Sequence, residues 1–210
     1  MTYHHGNLRK SLLDRAAHVI AEQGIESLSL RALARDLGVS HAAPARHFAD
    51  KNDLLRALAT EGNDRFIAYI LDAADATGND PLVRYNAMGE AYIRFSLLFP
   101  AYYRTITHPD VAAHADASLK ASAERRSFVI LEAARKAQAA GWLADEKTED
   151  VVLFSIATVR GVSAMLADPM SRHLHGDFDT LITRMVRLII DPENPQRNSL
   201  PTRKGPQDDA

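Results

Sequence analysis

The stretch SLRALARDLGVSHAAPARHFADKNDLLR, residues 29–56, decides the reading of this chain. Leu30, Leu33, Ala34 and Leu37 recur at helical spacing. Gly38 follows, where a helix commonly ends on a left-handed residue. Ser40 offers a hydroxyl to cap a second helix running through His41, Ala42, Ala43, Pro44, Ala45, Arg46 and His47 to Phe48. By that count Pro44 is the fourth helical residue, where its missing N–H gives up only the bond back to the cap carbonyl. Asp50 and Asp53 then cap a further helix. Apolar anchors either side of a Gly-containing turn are the pattern of a helix-turn-helix, whose second helix enters the DNA major groove.

Outward from this core the chain reads as helix throughout. Leu8, Leu12, Ala16 and Val19/Ile20 form a stripe ended by Gly24. The helix after Asp50 runs through Leu54, Leu55, Leu58, Phe66, Ile67 and Ile70 to Leu71, and Gly78-Asn79 breaks it. Asp80 with Pro81 is a strong start signal. Tyr85, Met88, Tyr92, Phe95 and Phe99 follow at spacings of three and four. Pro100 and Pro109 are expected to kink or end this region. One more helix spans roughly 117–140, closed by Gly141. Another spans 151–166, capped by Thr148, and a last one spans about 177–190. Residues 192–210 hold four of the nine prolines and almost nothing apolar, the composition of a disordered tail. The expected fold class is all-α.

Composition excludes several classes. The absence of cysteine removes disulfides and thiolate metal sites. No run of eighteen apolar residues occurs, so no membrane contact is expected. The start lacks a signal-peptide core, which points to the cytoplasm. Net charge is −2, but unevenly spread. Residues 1–56 carry eight Lys/Arg and six Asp/Glu, against fourteen and eighteen in residues 57–191. A mildly basic head on an acidic body fits local DNA contact.

The ordered set Ser29-Leu30-Arg31, Leu33-Ala34, Leu37-Gly38-Val39-Ser40, His47-Phe48, Lys51 and Leu54-Leu55 resembles the DNA-binding domain of the tetracycline-repressor (TetR) family of bacterial transcription regulators. The opening Tyr3-His4-His5-Gly6-Asn7-Leu8 resembles the start of one subgroup. Ala91 to Phe95 and Pro100 to Arg104 resemble the ligand domain of a subgroup named for a Trp-His-Gly signature, here reduced to Arg160-Gly161. The resemblance implies a three-helix DNA-binding head over residues 1–56 and a larger helical effector-binding and dimerisation domain over 57–191, followed by the tail. It implies a ligand-responsive regulator, a repressor that binds a palindromic double-stranded DNA operator as a homodimer and is released by a small molecule. In the family an aromatic ring, often Tyr, contacts a phosphate from the position of Ala45, so one backbone contact is missing here.

The expected DNA-contact residues follow from their chemistry. Arg46, Lys51 and the hydroxyls of Ser29 and Ser40 suit phosphates, and Arg31 belongs to the same polar face. His41, early in the recognition helix, can reach base edges, and Ala42 and Ala43 are small enough to approach a thymine methyl. His47 completes the face, although in the family it often packs within the domain. The plain alternative is a solvated face on a bundle.

For the effector, Met88, Tyr92, Phe95, Tyr102 and Tyr103 would supply an apolar pocket with a few polar handles. The plain alternative is a core stripe. Gly89 within it costs a helix about 1 kcal/mol relative to Ala and either opens space or allows close helix contact. Residues 151–166 and 177–190 are over-supplied with large hydrophobes, which suits a two-fold interface. No cofactor and no metal is expected: His108 and His114 flank Pro109 without a convincing carboxylate partner, and His173 and His175 sit in a loop. No nucleophile or phosphate-binding motif occurs, so no enzyme is expected. Two alternatives stand beside this reading, an effector-independent DNA-binding protein and an all-helical metal-binding protein or enzyme.

Overall fold

The structure is a computed structural model that describes residues 8–168 and 177–190. The expected tail at 192–210, the opening Tyr3 to Asn7, and His173 and His175 lie outside the described residues. All regular structure among the described residues is helical, as the sequence predicts.

The head begins with α1 (Leu8–Gln23), whose stripe Leu12, Leu13, Ala16, Val19 and Ile20 is buried. After it comes α2 (Leu30–Asp36), with Leu33 and Ala34 inside. Its C-terminus closes through Gly38 at φ +67, with Val39 N–H bonding Ala34 C=O at 3.0 Å and Gly38 N–H bonding Arg35 C=O at 3.1 Å. That paired closure requires a left-handed residue, which Gly adopts without a Cβ penalty.

The next segment departs from expectation. Residues 41–48 do not form an α-helix; the only helical part is one 3-10 turn, Pro44–Arg46. Most bonds there run i to i−3, Ala43 N–H to Ser40 C=O at 2.9 Å and His47 N–H to Pro44 C=O at 2.9 Å, and a single i to i−4 bond, Phe48 N–H to Pro44 C=O at 3.0 Å, closes the turn. Pro44 is the physical reason. It cannot donate back to Ser40, and its ring crowds the carbonyl four residues earlier. With so short a segment, losing one bond removes most of the ladder. Pro44 itself is buried, so the chain is pinned by packing where it lacks the bond.

The long helix α3 (Lys51–Asp75) then starts on Asp50, whose carboxylate accepts the Asp53 N–H at 2.8 Å, while the Asp53 carboxylate accepts the Ala49 N–H at 3.0 Å. It runs unbroken past residue 56. Its first half buries Leu54, Leu55 and Leu58 in the head core with Leu12, Ile20, Leu33 and Phe48. Phe66, Ile70 and Ala74 lie in a second core farther along. Ala101, Val111 and Leu119, distant in sequence, join the head core.

The body comprises α4 (Pro81–Leu98), α5 (Pro100–Thr107), α6 (Pro109–Ala113), α7 (Ala117–Ala139), α8 (Thr148–Ala167) and α9 (Phe178–Ile190). Pro81, Pro100 and Pro109 each sit in the first turn. Pro100 and Pro109 therefore begin helices rather than merely kinking or ending one, since their fixed φ suits that position and no N–H is needed there. Thr148 is inside α8 rather than its cap; its hydroxyl donates to Gln138 Oε1 at 2.7 Å.

Helix α8 buries Val151, Val159, Val162 and Leu166 but leaves Leu153 67 %, Phe154 60 % and Met165 51 % exposed. On length and composition it could cross a membrane, with mean hydropathy 1.6. Only 28 % of that span is buried, and Val159, Val162 and Leu166 on its inner side pack in one core with Ile182 and Val186 of α9.

Candidate DNA-contact face and effector cavity

The head presents an exposed polar segment around the 3-10 turn. Ser29, Arg31, Ser40, His41, Ala42, Arg46 and His47 are exposed, and Ala43 is half-buried. Ser29 occupies the N-cap of α2 in extended conformation, but its side chain makes no cap bond. Neither Arg31 nor Arg46 holds a carboxylate among the described residues, whereas Arg15 of the same head pairs with Asp36 at 2.8 Å. Lys51 is different. It is half-buried, and its Nζ donates to the Glu26 carbonyl at 3.2 Å, tying α3 to the loop before α2. Two of its three N–H donors remain. His47 is exposed rather than packed within the head.

Sequence reasoning missed the contacts that hold this face on the body. Arg104 of α5 donates through Nη1 to the carbonyls of Ile20 and Ala21, at 2.6 and 3.0 Å, in the last turn of α1. The Ile20 carbonyl also accepts the Gly24 N–H at 3.0 Å, and a cation suits the negative end of the helix dipole. Arg9 lies 5.3 Å from the Phe48 ring centroid, a cation–π contact across the head. Each pair is separated widely in sequence, so no local pattern signals it.

One further departure concerns His108. The structure brings Glu26 Oε1 to 3.9 Å from its Nε2, with Asp110 close by. His108 Nδ1 already accepts the Asp110 backbone N–H at 3.3 Å, the capping bond of α6.

In the body, a cavity of about 40 Å³ lies between α3, α4, α7, α8 and α9, walled chiefly by Phe66, Met88, Gly89, Tyr92, Ile130 and Val159. Of the five expected effector residues, Met88 and Tyr92 reach it. Phe95, Tyr102 and Tyr103 do not line it. Phe95 is 1 % exposed and packs edge-on against Phe66 with centroids 5.2 Å apart, so it is core. Tyr102 faces α3, where its hydroxyl donates to Glu61 Oε1 at 2.9 Å and Arg65 covers its ring at 4.8 Å. Burial and the Glu61 bond push that hydroxyl up to about 12. Tyr103 stacks edge-on with Tyr92, centroids 5.9 Å apart. Gly89 serves both purposes at once. It faces the cavity, and a Cβ there would meet Val186 Cγ1 at 3.3 Å.

A small helical head with an exposed turn, fused through one continuous helix to a larger helical body with an apolar cavity, is the architecture of a helix-turn-helix regulator. Two family models match it. Residues 12–58 match the bacterial regulatory proteins of the tetR family, and residues 85–189 match the tetracyclin repressor-like C-terminal domain. The chain belongs to the TetR family of DNA-binding transcription regulators. A solved protein of unknown function from Rhodococcus sp. RHA1 is 30 % identical with a TM-score of 0.78, the match covering 91 % of this chain and 98 % of that one. AibR, solved in complex with isovaleryl coenzyme A and operator DNA, is 19 % identical with a TM-score of 0.69, over 86 % of this chain and 97 % of that one. The HTH-type transcriptional repressor Rv1474c of Mycobacterium tuberculosis (strain ATCC 25618 / H37Rv) is 38 % identical over 60 residues, 29 % of this chain. The match therefore spans only about a third of that protein's length, 32 %.

Proposed function

We propose that the chain is a cytoplasmic, dimeric repressor whose head, residues 1–56, binds a near-palindromic operator and whose body, residues 57–191, binds a small molecule that releases the DNA. The observation that carries the reading is the exposed set of Arg31, His41, Arg46 and His47, with no carboxylate set against either arginine among the described residues. Side chains held out unpaired on a basic head are available to phosphates and base edges. The 3-10 turn would present them in place of a full recognition helix, and the absence of a ring at Ala45 leaves Arg46 as the main phosphate contact of that turn.

Dimerisation would use the second copy's α8 and α9. Leu153, Phe154 and Met165 form an exposed apolar row on the helix whose other side is core. Such a row is costly to leave in water and is well suited to a two-fold partner. Two heads would then sit about 34–36 Å apart, one turn of DNA. That one protein of this fold, AibR, holds both operator DNA and a coenzyme A thioester supports the coupling of a body ligand to the head. The test is to mix the purified chain with random double-stranded fragments and sequence those retained. A palindromic consensus is expected; retention without any consensus would overturn operator recognition.

The small size of this apolar cavity, about 40 Å³, favours a second reading, a regulator that needs no effector in it. An effector reading requires a ligand with differential affinity for the DNA-binding and released states. Release of the selected operator by a compound that also raises the melting temperature separates the two.

A further inference from the structure

The body also carries grooves wider than the inner cavity, and they differ in how their charges are matched. In the two that flank the exposed Phe128, the arginines are paired, Arg84 with Asp75 and Arg125 with Asp64. Another cleft, of about 450 Å³, opens between α3, α5, α6 and α7. Arg126 of α7 lines it and holds no carboxylate among the described residues. Its Nη1 donates to Asn63 Oδ1 at 2.7 Å and to the Ile106 carbonyl at 3.3 Å, both neutral oxygens. The N–H donors on Nε and Nη2 are left without a partner among the described residues. Burial pulls this guanidinium below its ordinary value.

The surroundings decide what would complete the site. Asn63 is buried and already engaged, its Nδ2 donating to Ser122 Oγ at 2.9 Å while Arg126 takes its Oδ1. Lys120 and Glu124 are exposed along the cleft, one turn apart on α7, and neither side chain holds a partner among the described residues. Two cations against one carboxylate leave the cleft positive. Most of the remaining wall is apolar, with Ala59, Val111, Ala115 and Leu119. A half-buried guanidinium bonded only to neutral oxygens lacks the counter-charge that repays its desolvation. Its unused fork, Nε with Nη2, has the geometry that takes a carboxylate through two parallel bonds. Clefts of about 300–1,000 Å³ are the size that takes small organic molecules.

The cleft lies where head meets body. Ala59, Val111 and Leu119 belong to the head core, and Asn63 stands on α3 between that core and Phe66 of the body core. Arg126 ties α7 to α3 through Asn63 and to α5 through Ile106, and Arg104 of the same α5 holds the end of α1. We propose that this cleft, rather than the inner cavity, is the effector site, and that it takes a small amphipathic carboxylate, the acid group on Arg126 and Lys120 and the apolar part against Ala59, Val111 and Leu119. The inference rests on the effector reading above and gives it a place and a ligand class. A bound carboxylate competes with the Ile106 carbonyl for Arg126, and a charge-assisted bond is about twice as strong as a neutral one. Its arrival frees α5, and with it the Arg104 clasp on α1, from α7. The two states then differ in affinity for the acid, which is what release of DNA requires.

The test uses the full chain with benzoate, phenylacetate, octanoate and naphthoate, each beside its primary amide, with sodium chloride matching the ionic strength and inorganic phosphate as a separate arm. At least one acid is expected to raise the melting temperature in a saturable way while its amide does not. Arg126→Gln keeps a donor towards Asn63 but removes the charge, and is expected to weaken that acid about tenfold or more. Lys120→Gln and Glu124→Gln, at exposed positions that should fold normally, are expected to shift its affinity in opposite directions, weaker and tighter, by about twofold to fivefold each. Ala123→Phe fills the cleft without touching the charges and should abolish the response. No response to any acid, an amide as effective as its acid, phosphate equal to the best acid, or an acid that binds Ala123→Phe as it binds the unaltered chain would each overturn the site. Retention of DNA fragments by the same preparation is measured in parallel, with and without the acid. An acid that binds and leaves retention unchanged overturns the effector role of the cleft. A chain that binds an acid but no DNA refutes the repressor reading alone, and a chain that binds DNA but no acid refutes this inference alone.

Discussion

Arg46 stands exposed beside Pro44 and Ala45 with no carboxylate partner among the described residues, which leaves its guanidinium open to a phosphate. Arg46→Ala is expected to weaken binding to all DNA sequences alike and to reduce the slope of log affinity against log salt by about 1. His41→Ala should instead narrow the gap between operator and random DNA, read as the ratio of two dissociation constants. At Gly89 the residue-scale argument runs the other way, inward. A leucine there would drive its Cβ to 3.3 Å from Val186 Cγ1 and fill the cavity. Overpacking of about 1–3 kcal/mol is expected, seen as a lower denaturation midpoint for Gly89→Leu. An unchanged midpoint would mean α9 moves aside easily. The aromatic row of α4 was legible as a periodic stripe, but which rings face the cavity was not. Tyr92 and Phe95 differ by less than one helical turn, and only the placement of α3 and α8 separates wall from core.

At the scale of elements, most starts and stops are local chemistry. Asp50, Asp80 and Asp116 each cap a helix with a carboxylate that accepts a backbone N–H, and Gly24, Gly38, Gly78 and Gly141 follow helix ends at positive φ. These are short-range signals and could be read directly from the chain. Asp80→Ala removes bonds at 2.9 and 3.1 Å to Leu82 and Val83 and is expected to cost about 1 kcal/mol in chemical denaturation. The recognition segment is where local reading failed. Its apolar anchors and Gly turn were seen, but Pro44 was counted as a small loss at a frayed end. In so short a piece only one i to i−4 bond forms beyond it, Phe48 N–H to Pro44 C=O at 3.0 Å, and burial of Pro44 and Phe48 holds the turn.

For the molecule as a whole, head and body are joined through α3, through Ala101, Val111 and Leu119 in the head core, and through Arg104. Arg104→Ala removes two bonds to the end of α1 and is expected to lower stability by about 1–3 kcal/mol. It should also loosen the dependence of DNA binding on any body ligand, measured as the ratio of operator affinities with and without it. The quaternary prediction uses the exposed face of α8. Phe154→Glu, at a residue 60 % exposed, should leave the melting of the isolated chain nearly unchanged yet give a monomer by sedimentation at micromolar concentration. A variant that remains dimeric would move the interface elsewhere. Val159 is 6 % exposed and faces its own core, so a charge there would test folding rather than assembly.

The sequence by itself determined that the chain is helical, where most of its long helices begin and end, and that its head carries the anchors of a TetR-type DNA-binding domain. Capping, left-handed closure and helical periodicity act over a few residues, so a linear reading captures them. Only the tertiary structure decided that the recognition segment is a 3-10 turn, that Lys51 is tied to Glu26, that Tyr102 belongs to a Glu61–Arg65 contact rather than to the cavity, that Arg126 reaches Asn63 and that Arg160 reaches the Tyr92 hydroxyl. Those outcomes depend on helices α3, α5, α7 and α8 meeting at particular rotations. Asn63 and Arg126, or Tyr92 and Arg160, stand more than sixty residues apart in the chain, and their contact arises from the packing of whole helices, which no local pattern encodes.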